Sequence, residues 1–278
     1  MLQLFHTVSQ DCSRIVTEKY STSFASAIRL LHRSIRTPIY NIYGFVRFAD
    51  EVVDTFHEQD QAVLMKELKT ETYNAFERRL SLNPILNSFQ QTVHEYKIDI
   101  TLVEAFFRSM ELDLTKKKYN HEEYSHYVYG SAESVGLMCL TVFCEGDEEL
   151  YEKLKTPAQT LGSAFQKVNF LRDLKADYTG LSRVYFPECD FDNFTISDKQ
   201  EIESEIQKEF DFASQGILQL PVKARFGVYV AYKYYLSLFK KIKKTEPAKI
   251  LEERIRIPDY HKALILFNAG IKNQLRLI

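Results

Sequence analysis

Asp50-Glu51-Val52-Val53-Asp54 and Asn169-Phe170-Leu171-Arg172-Asp173-Leu174-Lys175-Ala176-Asp177 repeat one design at two distant points of the chain. In each, two aspartates stand four residues apart, so on a helix both carboxylates project from one face, a turn apart. Neighbouring carboxylates repel unless something positive lies between them. Arg47 sits a turn before the first pair and Arg172 lies within the second. Carboxylates with arginines, and few histidines or thiols nearby, describe a site for hard divalent cations bridging to phosphate oxygens. Either cluster alone reads more simply as a solvated polar helix face. Both together, each embedded in apolar and aromatic sequence, point to function.

Two such helices need a scaffold that brings them face to face, and the composition supplies one. The chain has 278 residues, 45% of them hydrophobic, with 20 Phe, 17 Tyr and no Trp, enough for one large domain or two small ones with an ample core. A formal charge of -2 gives no global basic field, so a nucleic-acid partner is not expected. Positive charge is local, at Lys116-Lys117-Lys118 and at Lys240, Lys241, Lys243 and Lys244. These runs read as solvated helix ends or, less commonly, as contacts for anionic lipid or diphosphate. Cys12, Cys139, Cys144 and Cys189 lack CxxC or metal-ligand spacing and read as reduced, core-filling thiols of a cytoplasmic protein. The seven histidines form no HExxH or paired-ligand pattern, and no GxGxxG or Walker-type loop occurs, so neither a zinc, a nicotinamide nor an ATP site is supported. The start of the chain lacks the charged and apolar regions of a signal peptide, and no uninterrupted apolar run reaches transmembrane length.

Only 9 Gly and 7 Pro punctuate the sequence, most of which runs at helical period. Thr37-Pro38, Asn83-Pro84 and Thr156-Pro157 read as N-cap and first-turn proline, starting helices that carry the first acidic cluster to about residue 56 and the second through residue 177. Further helices are expected over about 9–19, 22–33, 59–80, 85–96, 99–115, 122–144, 198–218, 222–243 and 259–276. The main break, residues 179–195, reads as a long ordered loop or lid. No spacer divides the chain, so residues 1–278 are expected to form a single all-α domain, its acidic helices meeting at the mouth of an apolar cavity.

The ordered blocks Tyr20-Ser21-Thr22-Ser23-Phe24, Tyr43 through Asp54, Tyr129-Gly130-Ser131-Ala132 and Gln166 through Asp177 resemble those of squalene/phytoene synthases, most closely bacterial phytoene synthases. Arg183-Val184-Tyr185-Phe186-Pro187 and Arg254-Ile255-Arg256-Ile257-Pro258 look like later blocks of the same family, so the resemblance covers nearly the whole chain. It implies an isoprenoid-synthase-type helical bundle and Mg²⁺-dependent (or Mn²⁺-dependent) head-to-head coupling of two prenyl diphosphates. Geranylgeranyl diphosphate giving phytoene, for carotenoid biosynthesis, is the leading reading. Farnesyl diphosphate giving squalene or dehydrosqualene is the alternative, and a non-catalytic assembly protein on the same fold is the reading from another class.

Carried over residue by residue, the resemblance implies metal binding by Asp50, Asp54, Asn169, Asp173 and Asp177, and diphosphate binding by Arg47 and Arg172. Tyr20, Ser21, Thr22 and Ser23 match the segment approaching a diphosphate, and Tyr43, Tyr129, Gln166 and Tyr235 match substrate-cavity positions. Two positions depart from the pattern: Glu51 stands where many relatives carry aspartate, and Thr22 where a basic residue is frequent. Ile28, a turn beyond Phe24, is expected to floor the cavity at a depth favouring a 20-carbon tail. Hydrocarbon substrates and product, with no spanning helix, imply peripheral contact with the inner face of the cell membrane. The oligomeric state is left open.

Overall fold

The computed structural model describes residues 1–180, 183–187, 189, 191–275 and 278. In chain order its helices are α1 (Leu2–Tyr20), α2 (Thr22–Ile28), α3 (Arg33–Asp54), α4 (Gln61–Arg78), α5 (Pro84–Tyr96), α6 (Ile100–Thr115), α7 (His121–Val128), α8 (Ser134–Cys144), α9 (Glu148–Lys175), α10 (Ile196–Ile217), α11 (Val222–Lys243), α12 (Pro247–Glu252) and α13 (Asp259–Gln274). A π turn, Tyr129–Glu133, joins α7 to α8, and a second, Ala176–Gly180, ends α9. An isolated bridge between Lys118 and Val184 is the only extended pairing among the described residues. The fold is therefore all-α, as expected.

Most helix starts follow from local chemistry. Asn83 accepts from the Ile85 and Leu86 amides with Pro84 in the first turn, Asp60, Asp99 and Asp147 each accept from an amide of their own first turn, and Asn120–Glu123 and Thr195–Asp198 form reciprocal capping boxes. Two expected starts are corrected. α3 begins at Arg33, with His32 accepting from the Ser34 amide, and runs through Pro38; α9 begins at Glu148 and runs through Pro157. A proline inside a helix removes one hydrogen bond and crowds the preceding turn, a cost that tertiary packing offsets here. Pro38 is buried, and Pro157 lies so close to α10 that a Cβ on Gly216 would fall 2.3 Å from its own Cβ. α12 is an element the periodicity did not indicate.

α3 is the central helix. It buries Ile35, Ile39, Ile42, Phe45, Ala49, Val52 and Val53 and packs against α1 and α5, where Phe45 stacks on Phe89 at 4.0 Å. α9 packs between α8 and α10. The run His121–Cys144 is the one helical stretch among the described residues long and apolar enough to cross a membrane, but half of that window is buried, and Tyr127, Val135 and Cys139 line a cavity. It serves here as a core wall. That cavity, about 1280 Å³, is enclosed chiefly by α2, α3, α8, α9 and α11.

The expected loop after α9 is a packed strap where it is described. Val184, Tyr185 and Phe186 are buried, and the Val184 amide donates to the Lys117 carbonyl at 2.8 Å. Leu181, Ser182, Glu188 and Asp190 of that loop lie outside the described residues.

Candidate active site

α3 and α9 present their acidic faces to one end of the cavity. Tyr43, Arg47, Asp50 and Asp54 line it from α3; Gln166, Asn169, Arg172 and Asp173 line it from α9, with Asp177 from the following π turn. Tyr20 and Ser21 line it at the start of α2, and Tyr235 from α11. All five proposed cation ligands and both proposed arginines thus line one space.

The charges are held apart by arginines. Arg47 pairs with Glu51, lies 3.7 Å from Asp50 and sits 4.5 Å from the centre of the Tyr20 ring. Glu51 is therefore taken up by Arg47 and does not line the cavity. Arg172 forks onto Asp173, its Nε at 3.0 Å from Oδ1 and its terminal amine at 2.5 Å from Oδ2. Burial works against the Arg172 charge, but the Asp173 carboxylate outweighs it and keeps the guanidinium more basic than usual. Arg254 clasps the same aspartate at 2.7 Å, and Arg183 reaches Asp54 at 3.2 Å.

Two aspartates remain poorly compensated. Burial first, then the Asp54 carboxylate, pushes Asp50 up to about 7. Burial, Asp173 and Asp54 push Asp177 up to about 7 as well. Among the described residues no three carboxylate, histidine or thiol side chains converge as a ready-made cation cage. The donor set is nonetheless one of oxygen ligands with excess negative charge, which suits Mg²⁺ or Mn²⁺ and no softer ion. On the same helix, Arg47 lines the cavity and its Nε is buried with no hydrogen-bond partner among the described residues, a spare donor at the site.

Behind the acidic face a polar relay fixes the amides. Tyr235 Oη donates to Asn169 Oδ1 at 3.2 Å, Asn169 Nδ2 to Gln166 Oε1 at 3.3 Å, and Gln166 Nε2 to Ser131 Oγ at 3.2 Å. The Asn169 oxygen keeps a second lone pair for a cation. Beyond it the walls turn apolar and aromatic: Phe165 stacks on Tyr235 at 4.0 Å, and Phe24 packs on Tyr43 and Tyr235 with centroids 5.6 Å apart.

Three expected residues are displaced. Thr22 is exposed and accepts a hydrogen bond from Lys262 at 2.9 Å; Ser23 is half-buried and off the cavity wall. Only Ser21 of that triplet lines the cavity, because it caps α2 by accepting from the Phe24 amide and so faces inward. Tyr129 also misses the wall. It stands two positions after Tyr127, roughly 200° round the helix, whereas Tyr127, Ser131, Val135 and Cys139 recur every four residues and line the cavity.

One residue carried no signal in the sequence. Asp113 of α6, which belongs to no motif, accepts from Tyr119 at 3.2 Å, Tyr127 at 2.6 Å and Tyr185 at 3.3 Å. Burial lifts it to about 6, against the pull of Arg183. Arg183 and Arg254 stood within recognisable blocks, but their contacts to Asp54 and Asp173 cross 129 and 81 positions of chain.

The model of the squalene/phytoene synthase family matches residues 17–261. A phytoene synthase of Arthrospira platensis is 24% identical over 93% of this chain and 91% of its own, and phytoene synthase 2 of Solanum lycopersicum is 29% identical over 87% and 83%. A 4,4'-diapophytoene synthase of Staphylococcus haemolyticus is 28% identical over 70% and 67%. Among solved structures, a dehydrosqualene synthase bound to a ligand superposes with a TM-score of 0.82 at 18% identity, covering 98% of both chains. With a match of that span behind the opposed aspartate helices, the chain belongs to the squalene/phytoene synthase family of prenyltransferases.

Proposed function

We propose that this protein is a phytoene synthase, joining two geranylgeranyl diphosphates head to head through a cyclopropylcarbinyl diphosphate. The observation that carries the reading is the junction of two aspartate helices with a cavity of about 1280 Å³, larger than the ~300–1,000 Å³ typical of sites for drug-sized ligands. Asp50, Asp54, Asn169, Asp173 and Asp177 would hold Mg²⁺, which supplies charge neutralisation for the departing diphosphate.

The protein's own groups account for the rest. Arg47, Arg172 and Arg254 line the acidic end and orient diphosphate oxygens, while Arg183, buried off the wall, holds Asp54 in place. When the first C–O bond breaks, its electron pair leaves with the diphosphate. The allylic cation then meets the second molecule's double bond inside a wall free of strong nucleophiles. Cys139 lines that wall, but burial pushes its thiol up to about 12, so it stays protonated and unreactive. Tyr43 is likewise pushed up to about 12 by burial and remains a neutral phenol. The faces of Phe24, Phe165, Tyr43 and Tyr235 stabilise positive charge through their quadrupoles. A second ionisation, rearrangement and proton loss complete a hydrocarbon without any external reductant.

Farnesyl diphosphate is the competing substrate, favoured by the similarity to the diapophytoene synthase. The cavity's extent argues for the longer chain: its lining passes Ile28 to Leu31 and includes Leu154, Ile217 and Leu220. A non-catalytic role is disfavoured because all five proposed ligands face the cavity. Incubation of the purified protein with each diphosphate and Mg²⁺, with and without NADPH, followed by hydrocarbon extraction, decides the matter. Phytoene formed without NADPH is the expected product; a 30-carbon product alone would overturn the chain-length assignment, and no diphosphate release would overturn catalysis.

A further inference from the structure

α13 leaves an apolar face uncovered. Tyr260, Leu264, Phe267, Ile271 and Leu275 recur at helical spacing and are 71%, 55%, 66%, 41% and 64% exposed. The next residue after each of the first four, His261, Ile265, Asn268 and Lys272, lies about 100° round the helix and lines a second cavity of about 570 Å³ between α13 and α11. Lys233, Lys240, Lys241 and Lys244 line the same groove from α11 and its C-terminus. None of the five lysines in the groove has a carboxylate partner among the described residues, and no acidic side chain lines it. Lys233 instead lies over the Tyr229 and Tyr232 rings, 5.1 Å from each.

We infer that α13 docks the protein on a bilayer of anionic phospholipid, its apolar stripe among the acyl chains and the lysine groove on the headgroup phosphates. Charge complementarity selects this occupant: an exposed apolar helix face bordered by uncompensated lysines matches a negatively charged interface. A second exposed apolar stripe, Leu4, Val8 and Ile15 on α1, carries Asp11 in the same helical register, a charge that an anionic surface would repel. Position supports the choice as well. Lys262 in the first turn of α13 bonds Thr22 beside Ser21 of the cavity wall, and Arg254, just ahead of α13, clasps Asp173. The helix that carries the stripe is thus tethered beside the cavity by its opposite face, which leaves the stripe turned outward.

The inference does not depend on the reaction, and binding tests it without catalysis. Flotation with neutral phosphatidylcholine vesicles and with vesicles containing phosphatidylglycerol is expected to show capture by the anionic ones, weakening as salt rises. Leu264→Glu with Phe267→Glu should lower partitioning at least tenfold. Each of Lys240→Ala, Lys241→Ala and Lys244→Ala should lower it by about fivefold or less, the effect of one lysine near an anionic surface. Val8→Glu on α1 should leave it unchanged. Unaltered partitioning of the α13 double variant, or no capture of the wild-type protein by anionic vesicles, would overturn the proposal. So would a light-scattering result in which α13 pairs with a second copy and the double variant becomes monomeric with vesicle binding intact.

Discussion

Arg183 joins Asp54 to Asp113: one guanidinium amine lies 3.2 Å from the Asp54 carboxylate and the other donates to the Asp113 carbonyl at 3.0 Å. A residue of the strap after α9 is thereby wedged between α3 and α6. Its side chain is buried, so it cannot be a casual surface partner.

Arg183→Ala is expected to cut kcat/KM by about tenfold to 10²-fold, because Asp54 loses the group that positions it at the cavity. Arg183→Lys should recover only part of this, since a point charge cannot bridge both partners. Steady-state kinetics over a range of Mg²⁺ concentrations checks the outcome; near wild-type turnover would remove Arg183 from the site.

Asp54→Asn and Asp173→Asn should each abolish measurable turnover while leaving the circular dichroism spectrum intact. The reasoning is that one carboxylate fewer weakens cation binding and compensation of the leaving diphosphate. Substantial activity of either variant at limiting Mg²⁺ would refute that ligand.

The metal-free protein is expected to lose stability as pH rises from about 4 to about 7. Asp50 and Asp177 are both raised to about 7 by burial and by neighbouring carboxylates, so the folded state binds more protons than the unfolded state in that window. Below it both states are protonated and the penalty vanishes. Asp50→Asn should therefore stabilise the apo protein at pH 8 by roughly 1–2 kcal/mol, allowing for partial solvation of a side chain 31% exposed. Thermal melts in chelator at both ends of the range test this; rising stability towards pH 8 would contradict it.

Asp113→Ala should destabilise the fold by ~2–4 kcal/mol, because three tyrosine hydroxyls lose an acceptor and Arg183 loses a counter-charge. Urea denaturation measures the loss, and a change under 1 kcal/mol would show that the network is dispensable.

Ile28→Phe should reduce use of geranylgeranyl diphosphate more than farnesyl diphosphate. Ile28 is on the cavity wall and the lining continues past it, so an added ring narrows the way to the deep end. Losing a methylene-sized pocket discriminates by about 1–3 kcal/mol, and a blocked path by more. Competition between the two substrates reads the difference, and equal losses would show that Ile28 does not set chain length.

The acidic site was legible because its geometry is local. Asp50 with Asp54, and Asn169 with Asp173, need only a helix to share a face, and the blocks around them are specific to one family. What escaped was built by distant contacts or by irregular backbone. Asp113 gains meaning only from Tyr127 and Tyr185, which the fold delivers from two other elements. Pro38 and Pro157 looked like first-turn prolines because that signal is local, whereas the packing that carries each helix through them is not. Tyr129 came to the list with its block rather than by its own register, which sets it round the helix from Tyr127 and off the cavity wall.

That π turn makes helix length, more than side-chain identity, the sensitive variable along α7 and α8. Losing a single codon between Tyr129 and Glu133 would let the two helices fuse into one regular rod, turning α7 by about 100° relative to α8. Tyr127 would swing off Asp113 and release the strap that holds Arg183 against Asp54. Gly130 adds to the constraint, since a Cβ there would fall 2.3 Å from the Ala105 carbonyl oxygen. Insertions and deletions in this stretch would thus carry further through the molecule than most of its substitutions, Gly130 and Tyr127 apart.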